Sequence, residues 1–81
     1  MDRQEVKTRV KQVIARVLKI EPQTIADDAN FVFDLGADSM QSVQLVAAFE
    51  EEFEIDLEED QALAVQSVDG AVDFIAQRLP L

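Results

Sequence analysis

Neither cysteine nor histidine occurs among the 81 residues. Without cysteine there is no disulfide framework, no thiolate zinc site and no thiol belonging to the chain itself. Without histidine, the commonest base and metal ligand at neutral pH is gone. Glycine and proline number two each, too few for a linker or a low-complexity tract. No apolar run approaches the roughly 18 residues that a membrane span requires. The first twelve residues, MDRQEVKTRVKQ, are polar and charged where a secretory signal needs an apolar stretch. The expectation is a soluble, cytoplasmic protein. Basic residues are scarce as well, seven against seventeen acidic for a net charge of −10, which argues against a nucleic-acid partner.

What is present fits one small domain spanning residues 1–81. A chain of this size buries only about 60% of the surface its unfolded form exposes, which leaves no room for a deep internal active site. The apolar fraction of 48% still supplies one core. Charge is unevenly placed: residues 1 to 20 hold six of the seven basic residues and sum to +4, leaving −14 for the remainder. An acidic surface of that strength attracts basic partner faces and speeds encounter with them.

Val6, Val10, Val13, Ile14, Val17 and Leu18 recur at three- and four-residue steps and predict an amphipathic helix over about residues 3–18, with its basic residues on the outer face. Residues 19–37 contain Pro22 and Gly36 and scatter Ile20, Ile25, Phe31, Phe33 and Leu35 without a helical period. This reads as a long ordered loop pinned by apolar anchors. A second helix is expected from the Asp38-Ser39 pair to about Phe53, with Asp38 as its cap. Its core sector is Leu45, Val46, Phe49 and Phe53, and Met40, Val43 and Ala47 fall opposite, beside Gln44 and Glu51. Apolar anchors rimmed by charge make that outer face a docking surface for a partner. A short helix over Gln61–Val65 follows the acids Glu58-Glu59-Asp60. Ser67 then caps a last helix with Val68, Val72, Ile75 and Leu79 on one stripe and Pro80 at its end. The fold class is all-α, a small four-helix bundle with three longer helices, a short third helix and a long loop between the first two.

Ser39 has no histidine, and no lysine after Lys19, to act as its base, so it is no hydrolase nucleophile and no catalytic residue is assigned. Because Asp38 fills the cap, Ser39 lies in the first helical turn with its hydroxyl accessible. A phosphate attached there meets free amides and the positive end of the helix dipole, an effect of about 0.3 to 1 kcal/mol.

The run Asp34-Leu35-Gly36-Ala37-Asp38-Ser39-Met40, or DLGADSM, resembles the attachment motif of acyl carrier proteins. Phe31-Val32 before it, Glu50-Glu51-Glu52-Phe53 after it, and Ser67-Val68 through Ala71-Val72-Asp73-Phe74-Ile75 resemble that family in order and spacing over essentially the whole chain. The resemblance implies that Ser39 carries 4′-phosphopantetheine. A phosphopantetheinyl transferase would install it from coenzyme A with a divalent metal in its own site, so that no metal is bound here. Acyl groups would then ride as thioesters to acyl-loading and acyl-processing enzymes with basic docking faces. The sulfur missing from the composition is thus imported with the cofactor. The resemblance places the acyl chain among Leu45, Val46, Phe49, Val65 and Val68. It places partners against Asp38, Met40, Gln41, Val43, Gln44, Ala47, Glu50 and Glu51, on a chain expected to be monomeric. Ala37-Asp38, where carriers of peptide synthesis more often have Gly-His or Gly-Gly, favours an acyl cargo.

Three departures stand out: Gln41 and Gln44 where carriers of fatty-acid synthesis usually have acids; Phe33 where an acid is also common, which either adds to the loop's packing or leaves an apolar spot near the site; and the basic first helix. The alternative is an unmodified acidic adaptor that binds a partner through its second helix and has no need of an accessible serine. A calcium sensor is excluded, since no segment has the ligand spacing and central glycine of an EF-hand loop.

Overall fold

The computed structural model describes residues 1–80. Its order is α1 (Arg3–Leu18), a 3₁₀ turn (Pro22–Thr24), α2 (Ser39–Phe53), α3 (Glu59–Leu63) and α4 (Val68–Ala76). The Asp2 carboxylate caps α1 by accepting from the Glu5 amide at 2.8 Å. At the other end Lys19 adopts a left-handed conformation and the Ile20 amide returns to the Ala15 carbonyl at 3.0 Å. The predicted bounds of α1 and α2 hold.

The seven largest fully buried side chains, Val6, Val10, Val13, Ile14, Val68, Val72 and Ile75, all come from α1 and α4. Each such burial contributes on the order of 1.5 to 3 kcal/mol, so the seam between these helices is the tightest part of the core. Leu45, Val46, Phe49 and Phe53 are buried from α2, and no buried side chain in the described residues is polar or charged. α1 lies along both α2 and α4, whereas α3 packs chiefly on α2.

Three expectations are corrected. The short helix covers Glu59–Leu63 rather than Gln61–Val65, because the acids Glu59 and Asp60 belong to its first turn, where the dipole favours them. The chain tightens after it, with the Val65 amide donating to the Ala62 carbonyl at 3.1 Å. The last helix stops at Ala76, so Leu79 packs on the core from beyond it; Leu79 precedes Pro80, whose ring disfavours helical backbone at that position. In the loop, Ile25 and Phe31 are buried and Ile20 and Leu35 partly so, but Phe33 is exposed and anchors nothing; Ala29 and Ala37 do that work instead.

The basic face of α1 finds a role inside the molecule. Lys7 and Lys11 both pair with Asp27 of the loop, Arg9 pairs with Glu52 of α2, and Arg3 pairs with Asp73 of α4. Positive charge on the first helix therefore offsets acids on three other segments.

Candidate attachment site and cavity

Asp38 and Gln41 form a reciprocal cap at the start of α2. The Gln41 amide donates to Asp38 Oδ1 at 2.7 Å, and the Asp38 amide donates to Gln41 Oε1 at 3.1 Å. Ser42 Oγ donates to the Asp38 carbonyl at 3.0 Å. Ser39, enclosed by this arrangement in sequence, has no part in it and stands exposed in the first turn. Its own amide and that of Met40 belong to the orphan donors of a helix start, the groups that favour a phosphate there.

Gln41 is thus a capping residue before it is anything else. The Asp38-x-x-Gln41 spacing was the signal for it, and reading Gln41 only as a missing acid overlooks it. Gln44, Met40, Val43, Ala47 and Glu51 are exposed along the outer face of α2. Glu50 differs from its neighbour, since its Oε2 accepts from the Leu57 amide at 2.9 Å and holds the turn after α2.

The loop reaches Ser39 in a fixed conformation. The Phe31 amide donates to the Gln66 carbonyl at 2.9 Å, the Val68 amide donates to the Ala29 carbonyl at 3.0 Å, and the Ala37 amide returns to the Phe31 carbonyl at 2.8 Å. Gly36 has φ +74°, the left-handed region that a side chain resists, just before the cap.

A cavity of about 320 Å³ opens between the loop, α2, α3 and α4. Leu45, Val46 and Phe49 line it from α2, Val65 from the segment after α3, and Ala71, Phe74 and Ile75 from α4. Of the five residues expected to surround an acyl chain, Val68 does not reach it. It shares a face of α4 with Ile75 but stands two turns earlier, at the start of the helix, where it is fully buried in the core. Phe33, Val32 and Leu63 line the cavity too, although each is exposed, and a sequence pattern of buried residues could not have included them. Ser42 also lines it, three residues along the helix from Ser39, which is about one turn or roughly 5 Å of axial rise. A flexible arm joined to Ser39 would begin one turn from an apolar opening, so hydroxyl, helix start and cavity fit such a group.

These features define a carrier domain: a helical scaffold offering an attachment point beside a shelter for what is attached. The profile of the phosphopantetheine attachment site family matches residues 8–75. The chain is 44% identical over 75 residues to the acyl carrier protein of Phenylobacterium zucineum (strain HLK1), covering 93% of this chain and 95% of that one. It is 40% identical over 74 residues to the acyl carrier protein of Caulobacter vibrioides (strain NA1000 / CB15N), covering 91% and 95%. It is 45% identical over 76 residues to acyl carrier protein 2, mitochondrial, of Arabidopsis thaliana, covering 94% of this chain and 60% of that one. The chain belongs to the acyl carrier protein family; it is a carrier rather than an enzyme, and its cofactor is 4′-phosphopantetheine. Family membership brings with it interaction with a phosphopantetheinyl transferase and with acyl-handling enzymes. Among the described residues no helix is long and apolar enough to cross a membrane.

Proposed function

We propose that Ser39 is the attachment residue and that residues 1–81 act as one monomeric, cytoplasmic carrier domain. It holds acyl intermediates as thioesters and delivers them to enzymes of fatty acid, lipid or polyketide-type biosynthesis. The observation that carries this reading is the division of labour at the start of α2: Asp38 and Gln41 satisfy the helix end, and the intervening serine is left exposed. The transferase joins Ser39 Oγ to the pantetheine-side phosphorus of coenzyme A; the pyrophosphate P–O bond breaks, adenosine 3′,5′-bisphosphate leaves with that electron pair, and the hydroxyl proton is released. The attached group supplies the thiol that the chain lacks.

The chain's own residues then have three duties. The start of α2 accommodates the phosphodiester at its positive end. Leu45, Val46, Phe49 and Val65 shelter the acyl chain in the cavity. Met40, Val43 and Ala47 are the apolar anchors of the docking face. Around them, Asp38, Gln44 and Glu51 are joined by the unengaged Glu50 oxygen and the Gln41 amide group, which meet basic or polar groups of the partner. Gln41 and Gln44 reduce the charge beside Ser39, which favours a dedicated partner set over generic basic faces.

Incubation of the unmodified protein with coenzyme A and a broad-specificity transferase, read by intact mass, tests the assignment. One arm's increase is expected, with none in Ser39→Ala; an increase that survives the substitution rejects Ser39.

A further inference from the structure

Apart from Met1, the exposed large hydrophobic side chains among the described residues form two groups. Met40 and Val43 sit on the outer face of α2, 70% and 46% exposed, and take no part in the cavity. Val32, Phe33 and Leu63 are 55%, 88% and 40% exposed, and all three line it. Val32 and Phe33 come from the loop and Leu63 from α3, so the mouth has apolar side chains from two separate segments. Single exposed hydrophobes are ordinary on a protein surface, but three gathered on one rim are not scattered.

Phe33 has the least cover of these and sits on a rigid mount. Asn30 Oδ1 accepts from the amides of both Val32 and Phe33 at 2.9 Å, and Asp34 Oδ2 accepts from the Asn30 amide at 2.7 Å. The Asp34 and Leu35 amides close the same turn onto the Asn30 carbonyl at 3.0 and 3.1 Å. With the backbone tied down, the ring keeps its side-chain torsions, and exposed rotamers exchange in picoseconds to nanoseconds. A freely turning apolar ring on a fixed rim is suited to cover whatever apolar guest passes beneath it. The apolar lining of the cavity identifies that guest as hydrocarbon, while the α2 group is left for proteins.

We propose that Phe33, supported by Val32 and Leu63, contacts the acyl chain directly and is a specificity-determining residue for cargo, separating chains that enter the cavity from those too short to do so. The proposal rests on the reading of Ser39 and the cavity given above. An octanoyl chain passes under the ring, and an acetyl group leaves the ring in water.

The chain contains neither tryptophan nor tyrosine, so Phe33→Trp introduces a single reporter indole. The Phe33→Trp protein is loaded with acetyl- or octanoyl-bearing arms from the corresponding coenzyme A esters, and loading is confirmed by intact mass. Acrylamide quenching of the indole is expected to fall by about half on octanoylation and to stay unchanged on acetylation. In parallel, octanoylation is expected to raise the Tm of the native protein, and Phe33→Ala to lose most of that rise. A Tm rise of equal size in native and Phe33→Ala proteins, with the indole still fully quenched, overturns the proposal and leaves the cavity reading standing. Protection that arises only when the transferase is added makes Phe33 a protein contact and overturns it too. Octanoylation without any Tm rise in the native protein overturns the cavity reading and the proposal together. No mass increase overturns the Ser39 assignment instead.

Discussion

Arg9 holds Glu52 twice, donating from Nε to the Glu52 carboxylate at 2.7 Å and from Nη2 to its main-chain carbonyl at 2.8 Å. The carbonyl is one that the end of α2 leaves without a helical partner, and the guanidinium also lies 5.0 Å from the centre of the Phe53 ring. One side chain of α1 therefore closes the far end of α2. Arg9→Ala should destabilise the protein by roughly 1 to 3 kcal/mol in urea unfolding, since a charge-assisted bond is lost and the carbonyl is left open. Arg9→Lys should recover only part of this, because an ammonium cannot reproduce the planar fork.

Asp27 carries the pH dependence of the loop. Hydrogen bonds from Lys11 and Lys7 lower its pKa from 3.8 to about 2. A carboxyl whose pKa is lower in the folded state contributes stability above its unfolded value and loses it as pH falls toward the folded one. The Tm difference between the native protein and Asp27→Asn should thus be fully present at about pH 5 and above, shrink below about pH 4, be mostly lost near pH 2 and vanish only below it. A difference independent of pH over that range would contradict the pairing. Because the group is exposed, added salt should shrink the difference as well.

The cap at Ser39 gives a graded series. Asp38→Ala should cost about 0.5 to 2 kcal/mol, the usual range for losing an N-cap side chain. Gln41→Ala should cost less, and Gln41→Glu should leave stability nearly unchanged, since glutamate fills the same role in a reciprocal cap. Denaturant midpoints of the three variants check the order. If Gln41→Glu fell as far as Gln41→Ala, the side-chain half of the cap would be refuted.

Left-handed backbone occurs both at a glycine and where no glycine stands. Gly36, at φ +74° with open space around it, should cost about 1 to 2 kcal/mol when changed to alanine, from backbone strain alone. Glu54, at φ 55°, ends α2 in the same region with a side chain. Glu54→Gly should be neutral to stabilising by about 0.5 kcal/mol, the relieved strain being partly offset by the freer unfolded chain. Thermal unfolding of the pair should move in opposite directions.

Local order was legible in the sequence because the rules behind it act over three or four residues. Val6 through Leu18, Leu45 through Phe53 and Val68 through Ile75 repeat at helical spacing, and Asp38 and Ser67 are capping residues ahead of the second and third of these runs. The Asp38–Gln41 cap was legible by the same rule. Contacts between remote segments were not. Nothing within residues 1–20 indicates that Arg9 meets Glu52 or that Arg3 meets Asp73, and nothing near Asn30 shows that its neighbours bond to Gln66 and Val68. Phe33 left two readings open, packing in the loop or an apolar spot near the site, because hydrophobicity alone does not say which way the fold turns a side chain; the structure turns it outward at the cavity. Val68 was misleading because one helix face served two neighbours, the core and the cavity.

Among the described residues, the buried core of this protein holds no polar side chain. Within that interior no side-chain hydrogen bond and no buried charge fixes the spacing of α2 and α3; the polar ties of that region lie outside it, where Glu50 accepts from the Leu57 amide and Arg78 holds Glu58 and Gln61. The α1–α4 seam, where side chains interlock most completely, need not move at all. On the proposed reading of the cavity, its apolar walls would yield by degrees rather than by steps, since dispersion contacts are many and individually small.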